Sequence, residues 1–225
     1  MQKKADIVDC ILGPRTQDLL KDIPYLDEIF VIDKDKWKNQ SKINTFIDKV
    51  NILKALKKKE YTILLDFSMQ PEYSFWGMFH LRIPLRYGFD YKKRNKFLTS
   101  CVKIPDEGFS KKHVIEYFCD VGSLLGIEIE DKKPDIKAKK HHIEVKNKYV
   151  IISPGGGATW GKDAVFKRWP VEFFSRFMDL LKARVDFEEA LILGSEKEVE
   201  LGEYLNRNLK IRSRNLCGKT TLSEA

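Results

Sequence analysis

The sequence predicts an α/β protein of two units, each built on a mostly parallel sheet. Three observations carry that expectation. Short apolar runs of strand length alternate with amphipathic segments of helical period. One run, 61–67 (YTILLDF), is apolar almost throughout, as suits a parallel strand buried on both faces. The alternation stops in a lysine-rich stretch at 131–148 and then restarts, which marks a linker or domain edge; a long surface loop within one domain is the other reading.

The elements follow in order. Residues 5–12 (ADIVDCIL) form a strand candidate closed by the Gly13-Pro14 turn signal, and 16–21 a short helix. A second strand covers 29–32 (IFVI). Apolar positions at Ile43, Phe46, Ile47, Val50, Leu53 and Leu56 have helical spacing and give a helix over 43–58, with lysines at the end where the helix dipole favours cations. After the strand at 61–67 come a helix near 73–81, a strand at 85–89 and an amphipathic helix at 113–125 closed by Gly126. Beyond the linker the strand at 149–153 runs into a glycine-rich loop. A helix at 171–182, a strand at 190–193 and a helix at 197–206 follow.

Composition limits the functions. The chain has 225 residues, 43% hydrophobic and 33% charged, enough to bury a core in each unit. No apolar run approaches the roughly 18 residues that cross a bilayer, and the start of the chain lacks a signal peptide's apolar stretch. A cytoplasmic protein is expected. The four cysteines are far apart and form no CxxC pair, so they read as ordinary thiols; His141 and His142 sit in the lysine-rich stretch and read as solvated. No metal and no cofactor are expected. The net charge of +8 suits an anionic partner. The lysines are scattered and not interleaved with stacking aromatics, which argues against nucleic acid.

The segment at 149–170 carries the chemistry. A strand enters Pro154-Gly155-Gly156-Gly157, then a polar loop, then Lys167-Arg168-Trp169-Pro170 at the mouth of a helix. Glycines let a backbone approach a ligand closely, exposed amides hold phosphate oxygens, and a helix amino terminus adds partial positive charge. Gly155, Gly156, Thr159, Lys167 and Arg168 together suit a diphosphate. The loop matches neither GxGxxG nor GxxxxGK[ST]. A strand–helix connection whose basic residues face water is the plain alternative. Trp169, Phe173 and Phe174 read as core rather than ligand contacts.

SPGGGATWGKDAVFKRWP resembles the segment that opens the carboxy-terminal domain of family 9 glycosyltransferases, the bacterial heptosyltransferases. KRWP followed by Glu172-Phe173-Phe174 is the strongest match. LILGSEKEVE, NLCGKTTLSE, YTILLDF, LRYGF and VGSLLGI fall in the family's order. The resemblance covers nearly the whole chain. It implies a GT-B fold, with two Rossmann-like domains facing across a cleft: an acceptor-side domain over 1–140 and a nucleotide-sugar domain over 141–225. Compared with the family, the first would lack its opening strand and loop, with the acidic base they carry. The second would lack its carboxy-terminal part, with an Asp-Ser/Thr-Gly-Pro-x-His type segment.

The resemblance also implies roles. Lys167 would contact the donor diphosphate, with Thr159 as the nearest hydroxyl. Glu198 would stand near the donor ribose, or be a solvated helix carboxylate. Thr220 would flank the base, or Thr220 or Thr221 would cap a helix. On the acceptor side Asp66 ends a strand at the edge where α/β ligand sites form, or pairs with a nearby base; Arg86 would face an anionic acceptor. The implied reaction is inverting transfer of heptose or a related sugar from an ADP-type donor to an anionic glycolipid of the lipopolysaccharide core, at the inner membrane surface. A fragment without the base is expected to be inactive. A GT-B-like epimerase and a non-catalytic nucleotide-binding remnant are the alternatives.

Overall fold

A computed structural model describes residues 6–21, 23–93, 95–133, 148–156, 166, 168–222 and 224. Two compact units stand out. One contains 33–135; the other contains 1–32 together with 136–225. The expected boundary at 140/141 and most of the lysine-rich stretch lie outside the described residues.

In the unit of residues 33–135, helices α2 (Lys34–Asn39) and α3 (Lys42–Lys57) lead to strand β3 (Ile63–Asp66). Each helix opens on a side-chain cap, Asp33 for α2 and Ser41 for α3, which satisfies amides that the helix leaves unpaired. Helix α4 (Glu72–Phe75) continues into a wider π turn over Trp76–His80. Strands β4 (Leu85–Tyr91) and β5 (Ser100–Ile104) follow, and the sheet β3-β4-β5 is parallel throughout. Gly77 lets the π turn approach the sheet, because a Cβ there would crowd Leu64 and Arg86. Helix α5 (Val114–Ser123), opened by a His113–Glu116 capping box, closes a core of Phe89, Ile104, Tyr117 and Val121.

In the other unit, β1 (Asp9–Leu12), α1 (Pro14–Leu20) and β2 (Glu28–Val31) make a parallel pair. The second sheet of this unit is β6 (Tyr149–Ile152), β7 (Glu189–Ile192) and β8 (Arg212–Asn215), again parallel, in the order β6-β7-β8. Helix α6 (Val171–Lys182) connects β6 to β7; a 3₁₀ turn at Glu196–Glu198 and helix α7 (Val199–Asn208) connect β7 to β8. One face of this sheet packs Ile152, Ala190 and Ile192 against Met178, Leu205 and Leu209. The other face carries charge: Glu189 is buried, with Arg214 Nη2 donating to Oε2 at 3.0 Å and Arg214 Nε 2.8 Å from Oε1.

Two expectations need correction. Phe174 does pack on the core, but Trp169 and Phe173 are about half exposed, at 47% and 49%. The core takes the side of α6 that bears Val171, Phe174, Met178 and Leu181. Phe173, Phe177 and Leu180 project to a neighbouring side, where the Trp169 ring lies over the two phenylalanines. The apolar stripe of α3 is likewise wider than the core it meets: Leu56 is buried, whereas Ile43, Phe46 and Ile47 are exposed. Helix α2 and strands β5 and β8 had no counterpart in the sequence-based expectation.

Candidate donor and acceptor sites

Parallel pairing brings three loops to one edge of the sheet β6-β7-β8. The chain leaves β6 through Ser153 and buried Pro154 into Gly155 and Gly156. It leaves β7 through Gly194 and Ser195, and β8 through a turn at 217–220. Backbone bonds tie the exits together: Leu193 N–H donates to Ile152 at 2.9 Å, Leu216 N–H to Ile192 at 2.9 Å, and Gly218 N–H to Gly194 at 2.9 Å. Gly155, Gly156, Glu198 and Thr220 therefore stand at the carboxy-terminal edge of one parallel sheet, where ligands of open α/β sheets bind. Because α6 runs back from this edge, its amino terminus lies there too. Pro170 at that end gives no side-chain cap; of the first-turn amides, Phe173 N–H turns back to Pro170 O at 3.1 Å, and Glu172 stands in the same turn.

Glu198 is not solvated. It is 5% exposed, and its Oε2 accepts from Ser195 N–H at 2.7 Å and from the Ser195 hydroxyl at 2.8 Å. The carboxylate lies against the backbone of Gly155, where a Cβ would overlap it, and beside Gly194. The glycine after β6 is thus required by a carboxylate from the β7 loop. Buried Cys217 adjoins the same place: burial, and then the nearby Glu198 charge, push its thiol pKa up.

Arg168 is half-buried, and its Nε is shut off from solvent with no hydrogen-bond partner among the described residues. A guanidinium nitrogen left so is a candidate for an anionic ligand. Thr159 and Lys167 lie outside the described residues. Thr220 is half-buried in the turn after β8. Its neighbour Thr221 has the helix-opening pattern, its N–H donating to the Glu224 carboxylate at 2.7 Å.

In the unit of residues 33–135, Asp66 ends β3 and is 4% exposed. No base is among the partners that hold it. Its Oδ1 accepts from Ser68 N–H at 3.0 Å and the Ser68 hydroxyl at 2.6 Å, and its Oδ2 accepts from the buried Ser74 hydroxyl. Asp66 thereby fixes the loop from β3 into α4. Arg86 is not brought to this edge. It stands near the start of β4, and its guanidinium donates to Phe97 O at 2.6 Å, Pro84 O at 3.1 Å and Ile83 O, all before β4 or β5. Those carbonyls belong to loops at the amino-terminal edge, which sequence reasoning had no means of placing.

Sequence reasoning missed a cluster on the same unit. Glu72 Oε1 accepts from Lys49 Nζ at 2.8 Å and Oε2 from Lys34 Nζ at 3.2 Å. Lys49 Nζ lies 5.1 Å from the Trp37 ring centre and 5.7 Å from that of Trp76, and Lys34 Nζ lies 4.9 Å from that of Tyr73. Burial pushes the Glu72 carboxyl up, but the bonds from Lys49 and Lys34 outweigh it and hold its pKa below the usual range. Among the described residues no group of three or more His, Cys, Asp or Glu is placed to hold a metal ion, and no helix is long and apolar enough to cross a membrane.

The E. coli structure described as ADP-heptose lps heptosyltransferase II is similar over 96% of this chain and 65% of that one, with TM-score 0.69 and 16% identity. The glycosyl transferase family 9 structure from Veillonella parvula DSM 2008 is similar over 96% of this chain and 62% of that one, with TM-score 0.71 and 16% identity. The chain thus spans a little under two thirds of the length of these relatives. None of the curated proteins matches it. The fold is α/β with parallel sheets, of the GT-B type. The sequence profile of glycosyltransferase family 9 (heptosyltransferase) matches residues 50–225. The chain belongs to glycosyltransferase family 9, the heptosyltransferase family.

Proposed function

We propose that the protein of which this chain is part transfers heptose, or a related sugar, from an ADP-type donor to an anionic glycolipid of the lipopolysaccharide core. The observation that carries the reading is the convergence of the Gly155–Gly156 loop, Glu198, the Thr220 turn and the amino terminus of α6 on one sheet edge. That edge offers amides, a helix dipole and the unpartnered Arg168 Nε to a diphosphate. Lys167 and Thr159 are proposed to add a second cation and a hydroxyl.

In the proposed inverting step, an acceptor hydroxyl attacks the anomeric carbon opposite the diphosphate. The bond from that carbon to the phosphate oxygen breaks, and ADP leaves with the electron pair. Arg168, Lys167 and the loop amides stabilise the growing negative charge. No metal is needed, since those groups neutralise it. The proton of the acceptor hydroxyl goes to a base that the described residues do not identify. Asp66 is too fully engaged by Ser68 and Ser74 for that role. The work is placed in the cytoplasm, at the inner face of the membrane that carries the glycolipid, and the 225-residue chain by itself is proposed not to turn over.

Calorimetric titration with ADP tests the donor site. ADP binds, and Arg168→Ala and Lys167→Ala each weaken it roughly tenfold, the value of about 1.5–3 kcal/mol for a hydrogen bond to a charged group, discounted for solvent. Absence of ADP binding, or equal affinity in both variants, removes the donor reading.

A further inference from the structure

Three helices of the unit of residues 33–135 meet toward the sheet edge where ligands of open α/β sheets bind. Helix α4 begins just after β3 ends, and α3 ends just before β3 begins, so the first turns of both stand toward the carboxy-terminal edge. Asp48 ties α2 to α3: it accepts from Gln40 Nε2 at 2.9 Å and Lys36 Nζ at 3.3 Å, and the Thr45 hydroxyl donates to Trp37 O at 3.3 Å. The corner built in this way holds Lys34, Trp37, Lys49, Glu72 and Tyr73 together.

Glu72 draws two ammonium groups to one place. Lys49 and Lys34 lie 2.8 and 3.2 Å from its two oxygens. Two like charges repel, and one carboxylate cancels only one of them, so the group keeps a net positive charge. Each ammonium carries three N–H groups and gives one to Glu72. The side chains of Lys34 and Lys49 are 46% and 35% exposed, so their other N–H groups reach solvent. A clamp between α3 and α4 needs only one lysine; the second, from α2, leaves a charge with donors to spare. The surroundings add to the excess: residues 34–59 contain nine lysines and two acids, Asp35 and Asp48, and both acids are engaged by lysines. The Trp37 and Tyr73 rings beside the ammoniums are half-buried and keep part of their surface open.

We propose that Lys34, Lys49, Trp37 and Tyr73 form a subsite for a phosphorylated sugar. The ammoniums receive the phosphate, and the sugar ring lies against an aromatic face. A lysine meets a tetrahedral phosphate as a point charge, whereas a planar carboxylate is matched better by the arginine fork, and the cations converging on Glu72 are lysines. The rings offer a flat apolar surface to the C–H side of a sugar, with polar groups at its rim for the hydroxyls. The inference deepens the proposed function by naming phosphate as the anionic group of the acceptor, and it rests on that reading for its purpose.

The test is calorimetric titration of the chain with glucose 6-phosphate, glucose and inorganic phosphate. Glucose 6-phosphate binds, the other two bind roughly tenfold more weakly or worse, and salt weakens the binding as screening rises. Lys34→Ala and Lys49→Met each weaken it roughly tenfold, the scale of one charge-assisted hydrogen bond partly screened by solvent. Trp37→Ala weakens it roughly fivefold through the lost ring face. Lys54→Ala, on the same helix as Lys49 but outside the corner, leaves binding unchanged. Circular dichroism verifies that each variant is folded, and Lys34, exposed on the first turn of α2, gives a variant that keeps the fold even where Lys49→Met or Trp37→Ala does not. No binding of glucose 6-phosphate, binding no tighter than that of inorganic phosphate, or a Lys34→Ala chain that binds like the parent overturns the inference. Displacement of the sugar phosphate by ADP assigns it to the donor edge and overturns the inference too. ADP titration on the same preparations separates the two readings: sugar phosphate binding without ADP binding removes only the donor site, and the reverse removes only this subsite.

Discussion

Replacing Gly155 by alanine tests the contact that shapes the donor-side edge. The added Cβ would occupy the space of the Glu198 carboxylate, which is 5% exposed and bonded to Ser195 at 2.7 and 2.8 Å. The backbone of the loop must shift, or the carboxylate must leave its two donors. Overpacking of this kind costs about 1–3 kcal/mol, and each bond to a charged group about 1.5–3 kcal/mol. Partial relief by either route gives a destabilisation of about 3 kcal/mol. For a chain of this length that lowers Tm by roughly 6–12 °C. Thermal unfolding followed by circular dichroism reads it. Gly13→Ala is the control, since a Cβ there meets nothing within 4 Å, and its effect stays within about 0.5 kcal/mol. The double variant Gly155→Ala/Glu198→Ala removes the overlap, so its cost falls short of the sum by about 1–2 kcal/mol. Additive effects, or a Gly155→Ala variant no worse than Gly13→Ala, refute the reasoning.

Glu72→Gln removes both lysine contacts and costs about 1 kcal/mol at neutral pH, since the cluster is only partly buried. Because the folded pKa of Glu72 is depressed, its stabilisation is present above the unfolded value of about 4.3 and lost as pH falls through the folded value. The deficit of the variant, read as Tm against pH, therefore disappears in acid; a deficit that persists there argues that the carboxylate charge is irrelevant. Arg86→Lys cannot serve three carbonyls at once, and it lowers stability by about 2 kcal/mol and speeds amide exchange around Phe97, as hydrogen-exchange mass spectrometry would record.

What the sequence showed and what it hid divide along physical lines. Elements whose signal is apolar period were legible: α6 over Val171–Lys182, α3 over Lys42–Lys57, and β3, β6 and β7 in their runs. Strand β8 was not, because Arg212, Ser213, Arg214 and Asn215 have no apolar alternation. Its arginines face buried Glu189 across the sheet, and such a pairing exists only once the strands are side by side. Strand β5 was hidden because Ser100 and Lys103 interrupt its apolar residues, and α2, with six residues, is too short for a helical period to be read. In the site, the glycines after β6 were visible, but not the reason for Gly155, which is a carboxylate more than forty residues downstream. The Ser68 and Ser74 donors to Asp66 were open to a search beside the strand end, whereas the carbonyls that hold Arg86 belong to loops that only the fold brings near it.

Asn215 shows how the polar strand serves the site. It is 6% exposed, and its Nδ2 donates to Val199 O at 3.1 Å and Glu203 Oε1 at 2.8 Å, while its Oδ1 accepts from Cys217 N–H at 3.0 Å. One amide thus joins α7 to the turn that carries Thr220, and its fit is close enough that a Cβ at Gly202 would overlap it. Asn215→Leu leaves the buried Cys217 N–H unpaired and takes a donor from the Val199 carbonyl and the Glu203 carboxylate, and it costs about 3 kcal/mol. Asn215→Asp keeps the acceptor but turns a second carboxylate toward Glu203. Its folded pKa is then raised, so the penalty is full only above that raised value and is relieved as pH falls from it toward the unfolded value of about 3.9, where protonation restores a donor. Thermal melts of the two variants across pH separate shape from charge: Leu is destabilised at every pH, and Asp recovers in acid. If the turn helps hold the donor, ADP affinity falls in the Leu variant while the chain is still folded. Loss of stability with unchanged ADP affinity would detach Thr220 from the donor site and leave Asn215 a purely structural link.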